Sequence, residues 1–269
     1  PSNQTYSSNY DYYRGAEPFS EKEIQAIRDF VRQKNFLVSV AYHSSRSGCV
    51  SERVIYPWGW TESDDDSIKV SPDYEVISEI AENIASNIRK EGSELTYIPK
   101  AQKSRTGNAH DWIYAETGCI QFLIEMGSDN IQPMEQSIID DTIERNRAGL
   151  FYLLHEVAGT GIDTRQITGI IRDAIDGTVL PDVEIQVLDL HGSVLKPRLT
   201  DEFGRYRRLL SIGEHTLAFI KEGYEKQIIN NISVSSGQSI DLNIELVPLN
   251  NYNITFINQL PEFSGSFVE

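Results

Sequence analysis

Two residues stand at positions where chains of this kind carry chemistry. His43 closes the apolar run from Phe36, and Glu125 closes Ile120-Gln121-Phe122-Leu123-Ile124-Glu125. Ligand-binding groups gather at strand ends in open α/β sheets. At such an end His43 is either a metal ligand or proton carrier, or a core histidine hydrogen-bonded to a neighbour. A carboxylate on a buried strand is costly unless it is paired or functional, so Glu125 is either a working group or already reaches solvent at the strand end. Cys49 follows His43 by six residues and Cys119 precedes Glu125 by six, so both fall near the same ends, as one disulfide or, as we expect, two thiols. Asp64-Asp65-Asp66 lacks the spaced ligands and turn glycine of a calcium loop and reads as a solvated acidic loop.

The elements around these residues are legible from periodicity. Ser20-x-x-Glu23 reads as a capping box, and Ile24, Ile27, Phe30 and Val31 follow at helical spacing, which predicts a helix over about 20–34. Phe36 to His43 has the pattern of a strand buried on both faces. Ser71-Pro72-Asp73 starts a second helix, whose stripe is Val76, Ile77, Ile80, Ala81, Ile84 and Ile88. Gly118 to Gly127 is a second buried strand. Ile138, Ile139, Ile143, Leu150, Leu153 and Leu154 mark a third helix that ends near Gly159. Helices alternating with buried strands make this an α/β segment. Beyond about Arg165 come only short strand candidates: Ile167–Ile171, Val183–Leu188, Tyr206–Leu210, His215–Ile220, Ile228–Val234 and Ile240–Leu246. They predict a small all-β sandwich. The expected organisation is therefore an α/β domain over 1–165, a β-sandwich over 166–249 and a tail over 250–269.

Composition narrows the function. The chain has 269 residues with 24 Lys+Arg against 40 Asp+Glu, a formal charge of −16 that repels polyanions, so no nucleic-acid partner is expected. Its apolar runs fall far short of the ~20 residues a bilayer crossing needs, which predicts a soluble protein with no membrane span.

The words around the two residues resemble the zinc carboxypeptidases, the M14 metallopeptidases. Tyr13-Arg14-Gly15-Ala16-Glu17-Pro18-Phe19-Ser20-Glu21 leads into a helix, His43-Ser44 closes a strand, and Tyr56-Pro57-Trp58-Gly59-Trp60 follows. Asp111-Trp112-Ile113-Tyr114 and Glu125 complete the order. The resemblance implies a mixed-sheet carboxypeptidase-like domain in which His43 is the third zinc ligand and Glu125 the general acid-base group. It also places His110 on the floor of the specificity pocket, where an imidazole protonated below about pH 6.5 would favour acidic C-terminal residues. If it holds, His43 and Glu125 lie at the same end of neighbouring strands, within about 12 Å of each other.

The chain departs from the family in two respects. None of its five histidines opens a His-x-x-Glu, the word that supplies the first two zinc ligands. The chain reads as beginning past that word, so one zinc ligand is recognisable and a missing N-terminal half is a candidate partner. Where a substrate-capping tyrosine should stand, four residues before Gly107, the sequence has Lys103, with Tyr97 as a substitute if the loop is aligned differently. An amine at Lys103 would pair with a substrate carboxylate.

The second segment resembles the transthyretin-like sandwich that follows the catalytic domain in the regulatory subgroup of these enzymes. Its words are Ile167-Thr168-Gly169-Ile170-Ile171-Arg172-Asp173, Thr200-Asp201-Glu202-Phe203-Gly204-Arg205-Tyr206 and Glu222-Gly223-Tyr224. The implied function is a zinc metallocarboxypeptidase acting on peptide or protein C-termini in an extracellular or periplasmic setting, inactive as this chain alone. The competing reading is a non-catalytic binding protein on the same scaffold.

Overall fold

The apolar runs of the first segment assemble into one mixed sheet with helices packed on it. The computed structural model describes residues 15–44, 51–61, 68–101, 107–127, 135–190 and 198–249. In chain order the first segment holds α1 (Lys22–Gln33), β1 (Val38–Ser44), β2 (Arg53–Tyr56), β3 (Gly59–Thr61), β4 (Ile68–Val70), α2 (Tyr74–Ser86), β5 (Ile98–Ala101), α3 (Ala109–Thr117), β6 (Ile120–Met126) and α4 (Gln136–Ala158). The sheet runs β1-β6-β2-β5. β1 is parallel to β6 and β2 is parallel to β5, while β6 and β2 are antiparallel. The Val76, Ile77, Ile80, Ala81 and Ile84 stripe of α2 is buried on Val54, Phe122 and Ile124, as its 3.6-residue spacing requires. α4 packs closely on the end of α2 because Gly149 has no side chain. A Cβ there would sit 2.7 Å from Ile88 Cγ1 and 3.0 Å from the Ile84 carbonyl oxygen.

Four local expectations change. No residue of α1 is buried: Ile24, Ile27 and Phe30 are 48%, 56% and 51% exposed, so the helix is amphipathic but the described residues cover its apolar face only in part, among them Phe36 against Phe30. β1 is an edge strand of partly buried and exposed residues rather than one buried on both faces, since among the described residues it pairs only with β6. The capping box does not form, because the Ser20 hydroxyl donates to Glu21 Oε1 at 2.9 Å and no side chain caps α1. α4 turns a face of Asn146, Gly149, Leu153 and Glu156 inward, leaving Ile138, Ile143 and Leu154 exposed.

The second segment contains β7 (Arg165–Asp173), β8 (Glu184–Val187), β9 (Arg198–Leu199), β10 (Arg205–Leu209), β11 (Gly213–Ile220), β12 (Gln227–Val234), β13 (Gln238–Asp241) and β14 (Ile244–Leu246). They form two sheets, β10-β7-β13 with β14 also on β7, and β12-β11-β8-β9. Ile167, Ile171, Tyr206, Leu217 and Phe219 share their core, with the Tyr206 and Phe219 rings edge-on at 5.5 Å. The predicted strand Ile240–Leu246 is split in two. The Leu242 carbonyl oxygen lies 2.0 Å from where a Cβ of Gly169 would be, and the Asn243 side chain accepts the Ile170 N–H at 2.8 Å, so a side-chain bond stands in for one ladder bond.

The two segments are joined through buried charge. Asp73, at the N-cap of α2, does not cap the helix. Its Oδ1 accepts from Arg208 Nη2 at 2.9 Å, and its Oδ2 accepts from Arg198 Nη2 at 3.2 Å and from the Tyr114 hydroxyl at 2.6 Å. Burial pushes the Asp73 carboxyl up, but Arg208 and Arg198 outweigh it and hold it below the usual carboxylate range. Arg165 pairs with Glu79, and Leu209 of β10 is buried in the core of the first segment.

Candidate functional site

Parallel pairing of β1 and β6 puts His43 directly across from Glu125. Residues so paired face the same side of a sheet. The Nδ1 of His43 lies 3.1 Å from Oε2 of Glu125, well inside the 12 Å expected. The pair is asymmetric: the Glu125 side chain is 10% exposed and that of His43 57%. The carboxylate is therefore held by the sheet while the imidazole stands more exposed at its rim. Antiparallel β2 places Arg53 across from Glu125 on the other side. His43, Glu125 and Arg53 thus form one row across the strands, and Arg53 was not singled out in the sequence because only strand register brings it there.

Of the two remaining candidates, His110 and Lys103, only His110 lies among the described residues. His110 is 4% exposed in the first turn of α3, with Nε2 3.6 Å from Asp111 Oδ1. Neither of those atoms has a hydrogen-bond partner among the described residues. Burial lowers the His110 pKa to about 4, and burial raises that of Asp111 to about 6 against a hydrogen bond from Asn108. The expected switch of His110 near pH 6.5 is thereby corrected, because a desolvated imidazole stays neutral far below its usual range. Tyr97 is 3% exposed in the core and its hydroxyl accepts the Gly127 N–H at 3.3 Å, so it is a packing residue and no substitute for a substrate-facing phenol. Lys103 and Cys49 lie outside the described residues. Cys119 is a buried free thiol whose pKa is raised by burial.

The site also bears on metal binding. Zinc takes three or four protein ligands, or three and a water. His43 and Glu125 are two donors, and no group of three or more His, Cys, Asp or Glu side chains placed to hold a metal occurs among the described residues. These residues alone therefore do not constitute a zinc centre.

The sequence model of the zinc carboxypeptidase family, Peptidase_M14, matches residues 2–149, just over half of the chain. The model of the carboxypeptidase regulatory-like domain matches residues 166–247. Human carboxypeptidase D is 25% identical over 246 residues, which cover 85% of this chain and 16% of that protein. Bovine carboxypeptidase B2 is 34% identical over 118 residues, 40% of this chain and 24% of that protein. Human mast cell carboxypeptidase A is 29% identical over 110 residues, 39% of this chain and 24% of that protein. The chain thus spans about a sixth of the length of carboxypeptidase D. The strand-end histidine and glutamate, the mixed sheet and the match over residues 2–149 lead to one assignment: the chain belongs to the zinc carboxypeptidase family, with a carboxypeptidase regulatory-like domain following.

Proposed function

We propose that this chain supplies the acid-base half of a zinc carboxypeptidase site, acting on the C-termini of peptides or proteins. The observation that carries the reading is the His43–Glu125 pair, 3.1 Å apart on adjacent parallel strands. Glu125 is the group to take a proton from the attacking water and return it to the leaving amine, a step a positioned carboxylate accelerates by about 10²–10⁴-fold. Its burial on β6 fixes its direction, and the neighbouring imidazole limits its rotation. His43 is one nitrogen toward the family's zinc, and the other ligands lie outside the described residues. In this reading His110 and Lys103 belong to substrate binding: His110 is a neutral, polar floor, and Lys103 is a cation for a carboxylate. The segment over 1–165 is the catalytic portion, and the sandwich over 166–249 is a transthyretin-like scaffold without catalytic groups.

The surface of the first segment favours completion by further protein. The apolar face of α1, with Ile24, Ile27 and Phe30 about half exposed, lies in the chain next to β1, whose outer edge pairs with no other strand among the described residues. We assign this edge and face to the remainder of the catalytic domain, which would bring the missing ligands. The proposed setting is extracellular or periplasmic.

The test is mass spectrometry of a defined peptide mixture incubated with a polypeptide that contains this chain and the coding sequence around it, supplied with zinc. Loss of single residues from C-termini supports the reading. Cleavage at internal bonds, or intact peptides despite bound zinc, would count against it.

A further inference from the structure

The joint between the two segments carries more positive charge than it compensates. Among the described residues Asp73 is the one carboxylate in contact with both Arg198 and Arg208, and its two oxygens are already occupied by their Nη2 groups and by the Tyr114 hydroxyl. The Asp73 side chain is 1% exposed, that of Arg208 6% and that of Arg198 10%. Two buried guanidinium groups thus share a single negative charge. In each arginine the Nε–H is buried and has no hydrogen-bond partner among the described residues. An unmatched charge and two unmade charge-assisted hydrogen bonds are both expensive away from water. The left-handed residue Gly118 ends α3 against Arg198, and a Cβ there would lie 2.5 Å from its Nε. The negative end of that helix offsets only part of the surplus.

Both arginines line a cavity of about 640 Å³ between the segments, together with Asn35, Thr117, Tyr206 and Asn243. The other charged groups there do not remove the surplus. Arg205 is held by Asp201 at 2.8 Å, Arg207 donates to the Val157 carbonyl, and Asp241 is exposed on β13. A guanidinium presents five N–H donors in a planar fork, of which Asp73 takes only part in each arginine, and such a fork suits an oxyanion group. We infer that this cleft is a binding site for a small oxyanion, a phosphate or a carboxylate group, held by the guanidinium donors of Arg198 and Arg208 that Asp73 does not take. The bound anion balances the second guanidinium and ties the sandwich to α2 and α3 through a ligand. The proposal is independent of the His43–Glu125 site and stands or falls separately from it.

The experiment follows thermal unfolding and isothermal titration of the full 269-residue chain in inorganic phosphate and, separately, in acetate, with ionic strength held constant by sodium chloride. The expected result is saturable binding of one of the two probes with a rise in Tm of roughly 5 °C at 100 times Kd. A response to phosphate alone identifies a phosphate site, and a response to acetate alone or to both identifies a carboxylate-type site. Arg198→Gln removes the surplus charge while leaving the Asp73–Arg208 pair, and it should abolish the response. Arg198→Lys keeps the charge without the planar guanidinium fork and should weaken Kd at least tenfold, so the proposal remains testable if the first variant folds poorly. Arg205→Gln, outside the pair, should keep the response. Absence of any response to either probe beyond that of chloride, or an undiminished response in Arg198→Gln or Arg198→Lys, would overturn the site.

Discussion

Replacing Asp73 by Asn tests how the two segments are held together. The substitution keeps size and one acceptor, but it leaves two guanidinium groups buried without a carboxylate and turns an amide N–H₂ toward donors. Removing one partner of a buried ion pair typically costs about 3–5 kcal/mol. Asp73 stands at the severe end, since its side chain is 1% exposed and it accepts from Arg198, Arg208 and Tyr114 at once. For chains of this size each kcal/mol moves Tm by about 2–4 °C, so a fall of roughly 6–20 °C is expected. Denaturant unfolding followed by tryptophan fluorescence and by far-ultraviolet circular dichroism measures the loss and shows whether the segments still unfold together. The pH dependence has a definite sign. The carboxyl is held below its usual range in the folded protein, so its contribution is complete above its unfolded pKa near 3.9 and is lost as pH falls through the lower folded value. The difference between wild type and Asp73→Asn should therefore be full at pH 6 and shrink only below about pH 4. Adding Arg198→Gln to Asp73→Asn should restore part of the loss, because the surplus cation goes with it. A cost under about 1 kcal/mol, or one that does not shrink in acid, would refute the account of this joint.

Further outcomes concern the pair on α3 and the metal. Nuclear magnetic resonance of His110 should show no titration between pH 8 and 5.5, with its midpoint near 4, while Asp111 titrates near 6. A His110 midpoint above pH 6 would mean that the imidazole is solvated. In linkage terms the two oppose each other: the contribution of His110 is lost as pH falls from 6.5 toward 4, whereas that of Asp111 is full below 3.8 and is lost as pH rises through 6. His110→Gln should accordingly unmask stability that increases by about 2–3 kcal/mol from pH 7 to pH 4, measured by urea unfolding at each pH. Isothermal titration of zinc into the 269-residue chain should show no tight stoichiometric site, and His43→Ala should leave the isotherm unchanged. A tight site lost with His43 would mean that the chain holds two or more further ligands.

The comparison of sequence with structure separates what periodicity carries from what needs three dimensions. α2 and β6 were legible because every apolar residue of their stripes faces one core, and the strands of the sandwich were legible from alternation and turn glycines. α1 and α4 show the limit, since Ile24, Ile27, Phe30 and Ile143 have helical spacing yet lie exposed. Spacing reports which face is apolar and says nothing of what covers it. α3 was missed because it is short and weakly amphipathic, and β9 because two residues carry no period. His43 and Glu125 were legible one at a time, as polar residues ending apolar runs, whereas their contact is a property of parallel register. The Asp73–Arg198–Arg208 cluster had no local signature at all. Asp73 read only as part of the Ser71-Pro72-Asp73 helix start, and the two arginines lie more than a hundred residues away in sequence.

The central claim is that Glu125 moves the proton in peptide-bond hydrolysis. Its most direct test is kcat/KM for release of a C-terminal residue by Glu125→Gln, in a polypeptide that contains this chain and the coding sequence around it, loaded with zinc to the same content as wild type. The account predicts a loss of about 10²–10⁴-fold with unchanged zinc content and folding, because the isosteric amide cannot accept the proton. Activity within a few-fold of wild type in Glu125→Gln would contradict it.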